Sequence, residues 1–369
     1  MEPFTTAKEQ GGNIVRVAAC SPFSPQATFS EVRLDKNENP FDPPPGFIEE
    51  LRHSLSSLEF NRYPDQEAEA LRSALSVHCG FPADWISIGN GGDEILLYLI
   101  MAFVPDNGCL MTLSPSFSGY EHISRALGTR TRSVPLCFDG SRVFLDEEKL
   151  ADAISAASPD LILIDRPNNP TGLSVSTEML SRVAGLSKGV LAVDEAYVDF
   201  CGGSFLSEPE KLPPNVFVLR TFSKAWGLAG LRVGWGVSRP CLRERIEKIR
   251  PPYNVSVFSQ EAARVALGYS EWMQARVKGI AFTRDRFIEE TNRIPGWTAL
   301  PANGNFVTLY SKGPVDPARA AFEKRGIKVR FPEMGSLSEY SGTWVRVAVG
   351  LEEEMNAVLE TLKDLSGRL

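Results

Sequence analysis

Val216-Phe-Val-Leu-Arg-Thr-Phe-Ser-Lys-Ala-Trp-Gly-Leu-Ala-Gly-Leu-Arg-Val-Gly-Trp235 opens as a short apolar strand, Val216 to Leu219. It breaks into the polar turn Thr221-Phe-Ser-Lys224 and resumes with small and apolar residues. The turn carries one lysine flanked by hydroxyls, with Arg232 further on. A lysine in an apolar setting loses proton affinity, because burial disfavours the charged form. The neutral amine is a nucleophile that condenses with aldehydes. The hydroxyls of Thr221 and Ser223, with the guanidinium of Arg232, suit a phosphate. Lysine, aldehyde and phosphate together describe pyridoxal phosphate (PLP). A lone Ser-Lys would be read as a solvated loop; the rest of the chain changes those odds.

The strands around this turn support that reading. Asp160-Leu-Ile-Leu-Ile-Asp165 is a near-continuous apolar run, as expected of a strand covered on both faces. It ends in the rigid turn Arg166-Pro-Asn-Asn-Pro-Thr-Gly172. A helix over Thr177 to Leu186 returns to Val190-Leu-Ala-Val193, which ends in Asp194-Glu-Ala-Tyr197. Three successive strands therefore deliver Asn169, then Asp194 and Tyr197, then Lys224. Right-handed crossovers put these ends on one side of a parallel sheet, where open α/β sheets bind ligands. Upstream, Gly89-Asn-Gly-Gly-Asp-Glu94 leads a short strand into the apolar helix Ile95 to Phe103. Such a turn offers backbone N–H groups and the positive end of a helix dipole to an anion. It lacks the third glycine of a dinucleotide fingerprint and the Gly-Lys of a P-loop. The strand Cys109 to Leu113 ends near Phe117, an aromatic placed to stack on a flat ring.

Composition bounds the rest. The chain has 369 residues, 43% hydrophobic and 23% charged, enough for a large core and two domains. A net charge of -7 argues against a nucleic-acid or membrane-surface partner. No apolar run approaches the ~20 residues that span a bilayer, and residues 1–12 lack a signal pattern. Six scattered cysteines without a Cys-x-x-Cys pair read as reduced thiols of a cytoplasmic protein. Three distant histidines form no metal-ligand pair. Gly185-Leu-Ser-Lys-Gly189 matches a nucleophile elbow, but it follows a helix and no histidine comes after it. Helices are expected over Phe47 to Leu58, over Glu67 to Val77 with Asp65 as N-cap, over Arg239 to Ile249, and as one long pattern from Ser259 to Thr291. Pro251-Pro252 is a natural hinge. Asn305 to Leu309, Ile327 to Arg330 and Trp344 to Val349 alternate as half-buried strands, and Arg330 and Arg346 on them suit a carboxylate or phosphate.

Taken together, Leu34-Asp-Lys-Asn-Glu-Asn-Pro40, Arg62-Tyr-Pro-Asp65, Gly89 to Glu94, Pro167 to Gly172, Val193 to Tyr197, Thr221 to Arg232 and Val345 to Gly350 resemble the fold type I PLP-dependent aminotransferases of class I/II, most closely the histidinol-phosphate aminotransferase family. The resemblance implies an α/β fold: a large domain with a mostly parallel central sheet flanked by helices, and a smaller α+β domain from the N- and C-terminal parts. The expected divisions are an arm and part of the small domain at 1–45, the PLP-binding domain at 46–270 and the small domain at 271–369. The resemblance also implies that Lys224 is joined to the cofactor aldehyde and carries the proton. Asp194 then pairs with the ring nitrogen, Tyr197 and Asn169 with the ring oxygen, and Phe117 stacks. Gly91, Gly92, Asp93, Thr221, Ser223 and Arg232 hold the phosphate, joined by Tyr63 from the neighbouring subunit of a homodimer. Asn37, Asn305, Arg330 and Arg346 face the substrate.

The expected activity is amino transfer between histidinol phosphate, or a similar small anionic amine, and 2-oxoglutarate/glutamate. Gly11-Gly-Asn-Ile14 resembles instead the start of threonine-phosphate decarboxylase. That enzyme and a non-catalytic PLP-binding protein are the alternatives.

Overall fold

The structure, a computed structural model, describes residues 31–366. Residues 1–30 of the expected N-terminal division at 1–45, with the Gly11 to Ile14 motif, lie outside the described residues. The described residues from Val32 on belong to one compact unit.

Its centre is a seven-stranded sheet in the order Ile86–Gly89, Gly234–Ser238, Val216–Thr221, Val190–Asp194, Leu161–Asp165, Cys109–Ser114, Arg130–Pro135. Gly234–Ser238 runs antiparallel to both neighbours, and the other strand pairs are parallel. Alternate residues feed separate cores on the two faces. Ile162, Ile164, Leu191, Val193, Val216 and Val218 face one core, and Leu161, Leu163, Val190, Ala192, Phe217 and Leu219 face the other. This is why those strands read as unbroken apolar runs. A third core belongs to the C-terminal part, around the antiparallel strands Thr298–Ala299, Phe306–Ser311 and Thr343–Ala348. Val32–Arg33 pairs parallel with Ile327–Lys328, joining the N-terminal segment to that part.

Most expected elements appear within a residue or two, and the differences have local causes. The long pattern from Ser259 to Thr291 is two helices, Val257–Leu267 and Ser270–Thr291, separated at Gly268-Tyr269. The helix expected over Glu67 to Val77 runs Glu69–Cys79 instead. Asp65 accepts from the N–H groups of Glu67 and Glu69 at 2.9 and 2.6 Å, and Ala68 takes a left-handed φ of 48° before the helix begins. The carboxylate thus stabilises a turn first and the helix second. No helix among the described residues is long and apolar enough to cross a membrane.

Candidate active site

The carboxyl ends of the central strands open into a cavity of about 260 Å³. Gly92, Asp93, Phe117, Asn169, Asp194, Tyr197, Thr221, Ser223, Lys224 and Arg232 all line it. Strand register brings the acids together: Asp165 is paired with Asp194, and Asp194 with Leu219, two residues before Thr221.

Lys224 points its amine at the N-terminal segment, donating to the carbonyls of Lys36 and Asn37 at 2.9 and 3.3 Å. Its turn is pinned from the same side. Asn39 donates to the carbonyls of Lys224 and Ala225, and Gly227 adopts a positive φ of 68° to close the turn. Asn37 itself sits at φ 55°, a left-handed conformation that Asn tolerates better than most residues. Its amide donates to the Tyr197 hydroxyl at 3.0 Å.

Asp194 is buried. It accepts from the Tyr120 hydroxyl at 2.8 Å and from the Ala196 N–H at 3.0 Å. Burial raises its pKa to about 7, with the nearby Asp165 adding to the rise against the Tyr120 bond. Asp165 is buried too; it accepts from Ser116, Asn168 and the Asn169 N–H, and burial raises it to about 6. Both acids therefore hold protons in the folded chain at a pH where the unfolded chain, with a carboxyl near 3.8, has lost them. The sign follows from linkage: this contribution is complete below about pH 4 and disappears as pH rises through about 6 and 7. Ligand-free protein should lose on the order of 4 kcal/mol of stability between about pH 5 and pH 8. Urea midpoints across that range test this, and Asp194→Asn should flatten the slope. A flat wild-type profile would show that the acids ionise freely.

The opposite end of the cavity is cationic and rich in N–H groups. The helix Gly92–Phe103 begins there, after Gly91 at φ 85°. A Cβ on Gly91 would lie 2.4 Å from Arg232 Nη2, so glycine is what lets the guanidinium lie against the loop. Arg232 pairs with Asp93 at 2.8 Å and reaches Ser223 Oγ at 3.5 Å; its side chain remains 46% exposed and open to an anion.

Other expected site residues sit elsewhere. Asn305 does not line the cavity: it is fully buried and its amide holds the carbonyls of Asn37 and Glu38. Arg346 is buried, donating to Asn169 Oδ1 at 2.6 Å and to the Asp35 carbonyl. Burial lowers its pKa, and Arg330 lowers it further. Arg330 is exposed, and its backbone pairs with that of Arg346 in both directions. Tyr63 lies outside the cavity, 80% exposed and stacked on Tyr253 with ring centroids 4.5 Å apart.

The sequence patterns do not single out Tyr120, Asp165 or Asn39. Tyr120 lies three residues past Phe117, but nothing local tells which aromatic meets Asp194. Asp165 is visible as the polar end of an apolar strand, the same signal that singles out Asp194.

A parallel sheet whose strand ends carry a lysine, a buried acid and an anion cradle has the framework of an aminotransferase. The sequence matches the family "Aminotransferase class I and II" over residues 30–362, and the chain belongs to it. The histidinol-phosphate aminotransferase of Desulfitobacterium hafniense (strain DSM 10664 / DCB-2) is 35% identical over 338 residues, 90% of this chain and 91% of that one. This places the chain among the histidinol-phosphate aminotransferases. The crystal structure of that enzyme from Sinorhizobium meliloti, in complex with pyridoxal-5'-phosphate, has a TM-score of 0.82 at 27% identity, covering 92% of this chain and 91% of that one. The L-threonine-O-3-phosphate decarboxylase of Porphyromonas gingivalis has a TM-score of 0.76 at 20% identity, covering 90% and 99%, and shares the fold.

Proposed function

We propose that the chain uses PLP to move an amino group between histidinol phosphate, or a similar small amine with an anionic group, and 2-oxoglutarate/glutamate. The observation that carries this is the convergence of Lys224, Asp194 and the Gly91–Arg232 cradle on one cavity. The residues present suit the cofactor. A buried acid with a raised pKa lacks a cationic partner, which a protonated ring nitrogen supplies. The N–H groups after Gly91, with Thr221, Ser223 and Arg232, suit its phosphate.

Bound PLP supplies an electron sink that acidifies the Cα–H bond of the amine. Lys224 would anchor the aldehyde and, when free, take and return that proton. Asp194, oriented by Tyr120 and Ala196, would hold the ring nitrogen's proton. Tyr197, fixed by Asn37, and Asn169, fixed by Arg346, would hold the ring oxygen, and Phe117 would pack against the ring. Arg330 and Arg346 receive the anionic groups of the substrates. The Oδ1 atoms of Asn37 and Asn305, buried without a hydrogen-bond partner, leave acceptors for a substrate donor.

The exposed, stacked pair of Tyr63 and Tyr253 supports a homodimer in which Tyr63 reaches the neighbouring site; exposed aromatic patches mark contact surfaces. A domain division at 45 and 270 fits the separate C-terminal core.

The test is a single turnover of PLP-loaded dimer with each candidate amine. Histidinol phosphate should consume the cofactor's aldehyde form, and 2-oxoglutarate should restore it. Threonine phosphate releasing CO2 without a keto acid would instead make the chain a decarboxylase. No turnover of any amine by protein that retains PLP would leave it a binding protein. A monomer by sedimentation at assay concentration would remove the role of Tyr63.

A further inference from the structure

The three strand ends that build the site carry a second row of charges on the other face of the sheet. Successive residues of a strand point to opposite faces. Asp165, Asp194 and Thr221 face the cavity; their chain neighbours Arg166, Glu195 and Arg220 face away from it. The backbone ladder continues through this row, with Arg166 N–H donating to the Asp194 carbonyl at 2.8 Å and Glu195 N–H to the Leu219 carbonyl at 2.9 Å.

Glu195 is the centre of the row and is fully buried. One carboxylate oxygen accepts from Phe205 N–H at 2.6 Å and Arg166 Nη1 at 3.2 Å. The other accepts from Ser204 Oγ at 2.6 Å and Arg220 Nε at 3.1 Å. Arg166 also donates to the carbonyls of Val175 and Gly203, and Arg220 to Asp199 Oδ1 at 3.2 Å. The strand ends that carry Asp165, Asp194 and Thr221 are thus tied together one residue away, through a carboxylate with four donors.

We propose that Glu195 is a positioning residue: by clamping Arg166 and Arg220 across the sheet, it fixes where Asp194 and the Thr221–Lys224 turn stand relative to each other. The inference rests on the aminotransferase reading of the site. Misplacing reacting groups by an ångström costs about 100-fold in rate. Removing one member of a buried ion row leaves an uncompensated charge, so a single truncation would confound folding with positioning. Exchanging the three for apolar side chains of similar size leaves no fully buried charge; Asp199 loses the Arg220 contact but keeps access to water at 23% exposure.

The variant Arg166→Met/Glu195→Leu/Arg220→Met, compared with wild type as PLP-loaded dimer, should retain its melting temperature within a few degrees. Its kcat should fall between about tenfold and 100-fold, with KM for the amine changed less than about threefold, and its PLP dissociation constant should rise about tenfold. A folded triple variant with wild-type kcat and PLP affinity overturns the proposal, as does a loss confined to KM. If the triple variant does not fold, Ser204→Ala decides. It removes one donor to Glu195 at a part-buried position, and kcat should fall about threefold at constant KM; an unchanged kcat overturns the proposal. Wild type that neither binds PLP nor transfers an amino group would instead sink the functional reading.

Discussion

Lys224→Ala should reduce amino transfer at least about 1000-fold, the scale on which a positioned proton carrier contributes. It should also abolish the borohydride-reducible link between protein and PLP. The structural cost should be small, because Lys224 is only part-buried and its amine bonds two backbone carbonyls, Lys36 and Asn37. Losing such bonds costs about 1 kcal/mol each, far less than the effect on rate. The fold should survive, since Asn39 still pins the turn through the Lys224 and Ala225 carbonyls. Borohydride reduction followed by peptide mapping reads the result directly. A variant that still yields a reducible adduct on another lysine would mean that Lys224 is not the anchor.

Asp194→Asn should leave PLP bound, because the phosphate cradle and Lys224 are untouched, but slow proton removal about 100- to 1000-fold, as loss of a preorganised electrostatic contact does. The amide is nearly isosteric: its oxygen can keep the bond from the Ala196 N–H, while its NH2 donates to the Tyr120 hydroxyl and reverses that bond. It cannot carry the negative charge that would hold a proton on the ring nitrogen. The effect should therefore fall on kcat, with KM for the amine little changed. A deuterium label at Cα separates the two parts: exchange should slow as much as turnover. Near-normal turnover would show that Asp194 serves only to hold Tyr120. The wild-type carboxyl, raised to about 7 by burial in the ligand-free chain, should fall once a cation stands beside it.

Much of this site is legible in the amino-acid sequence. The apolar strands end in polar residues, and parallel connections require those ends to share an edge; Asn169, Asp194, Tyr197 and Lys224 meet there. The Gly89 to Glu94 turn reads as an anion site and stands opposite the acids, against Arg232. The two arginines are not separable in the same way. Both lie at strand positions, yet Arg346 is buried against Asn169 and Arg330 is exposed. Asn305 reads as a substrate contact; what its pattern does not reveal is that its amide nitrogen holds the Asn37–Glu38 backbone.

The chain's local chemistry determined on its own which segments are strands, where they stop and which of them end in a reactive group. Burial on both faces demands unbroken apolar runs, and turns demand Gly, Pro and Asn. Only the folded arrangement decided that Tyr120 meets Asp194, that Asn37 holds Tyr197, and that Glu195 binds two arginines behind the sheet. Those partners are separated by 74, 160, and 29 and 25 residues. No local pattern encodes them, because a side chain's partner across such a distance is set by register and packing rather than by its neighbours in the chain.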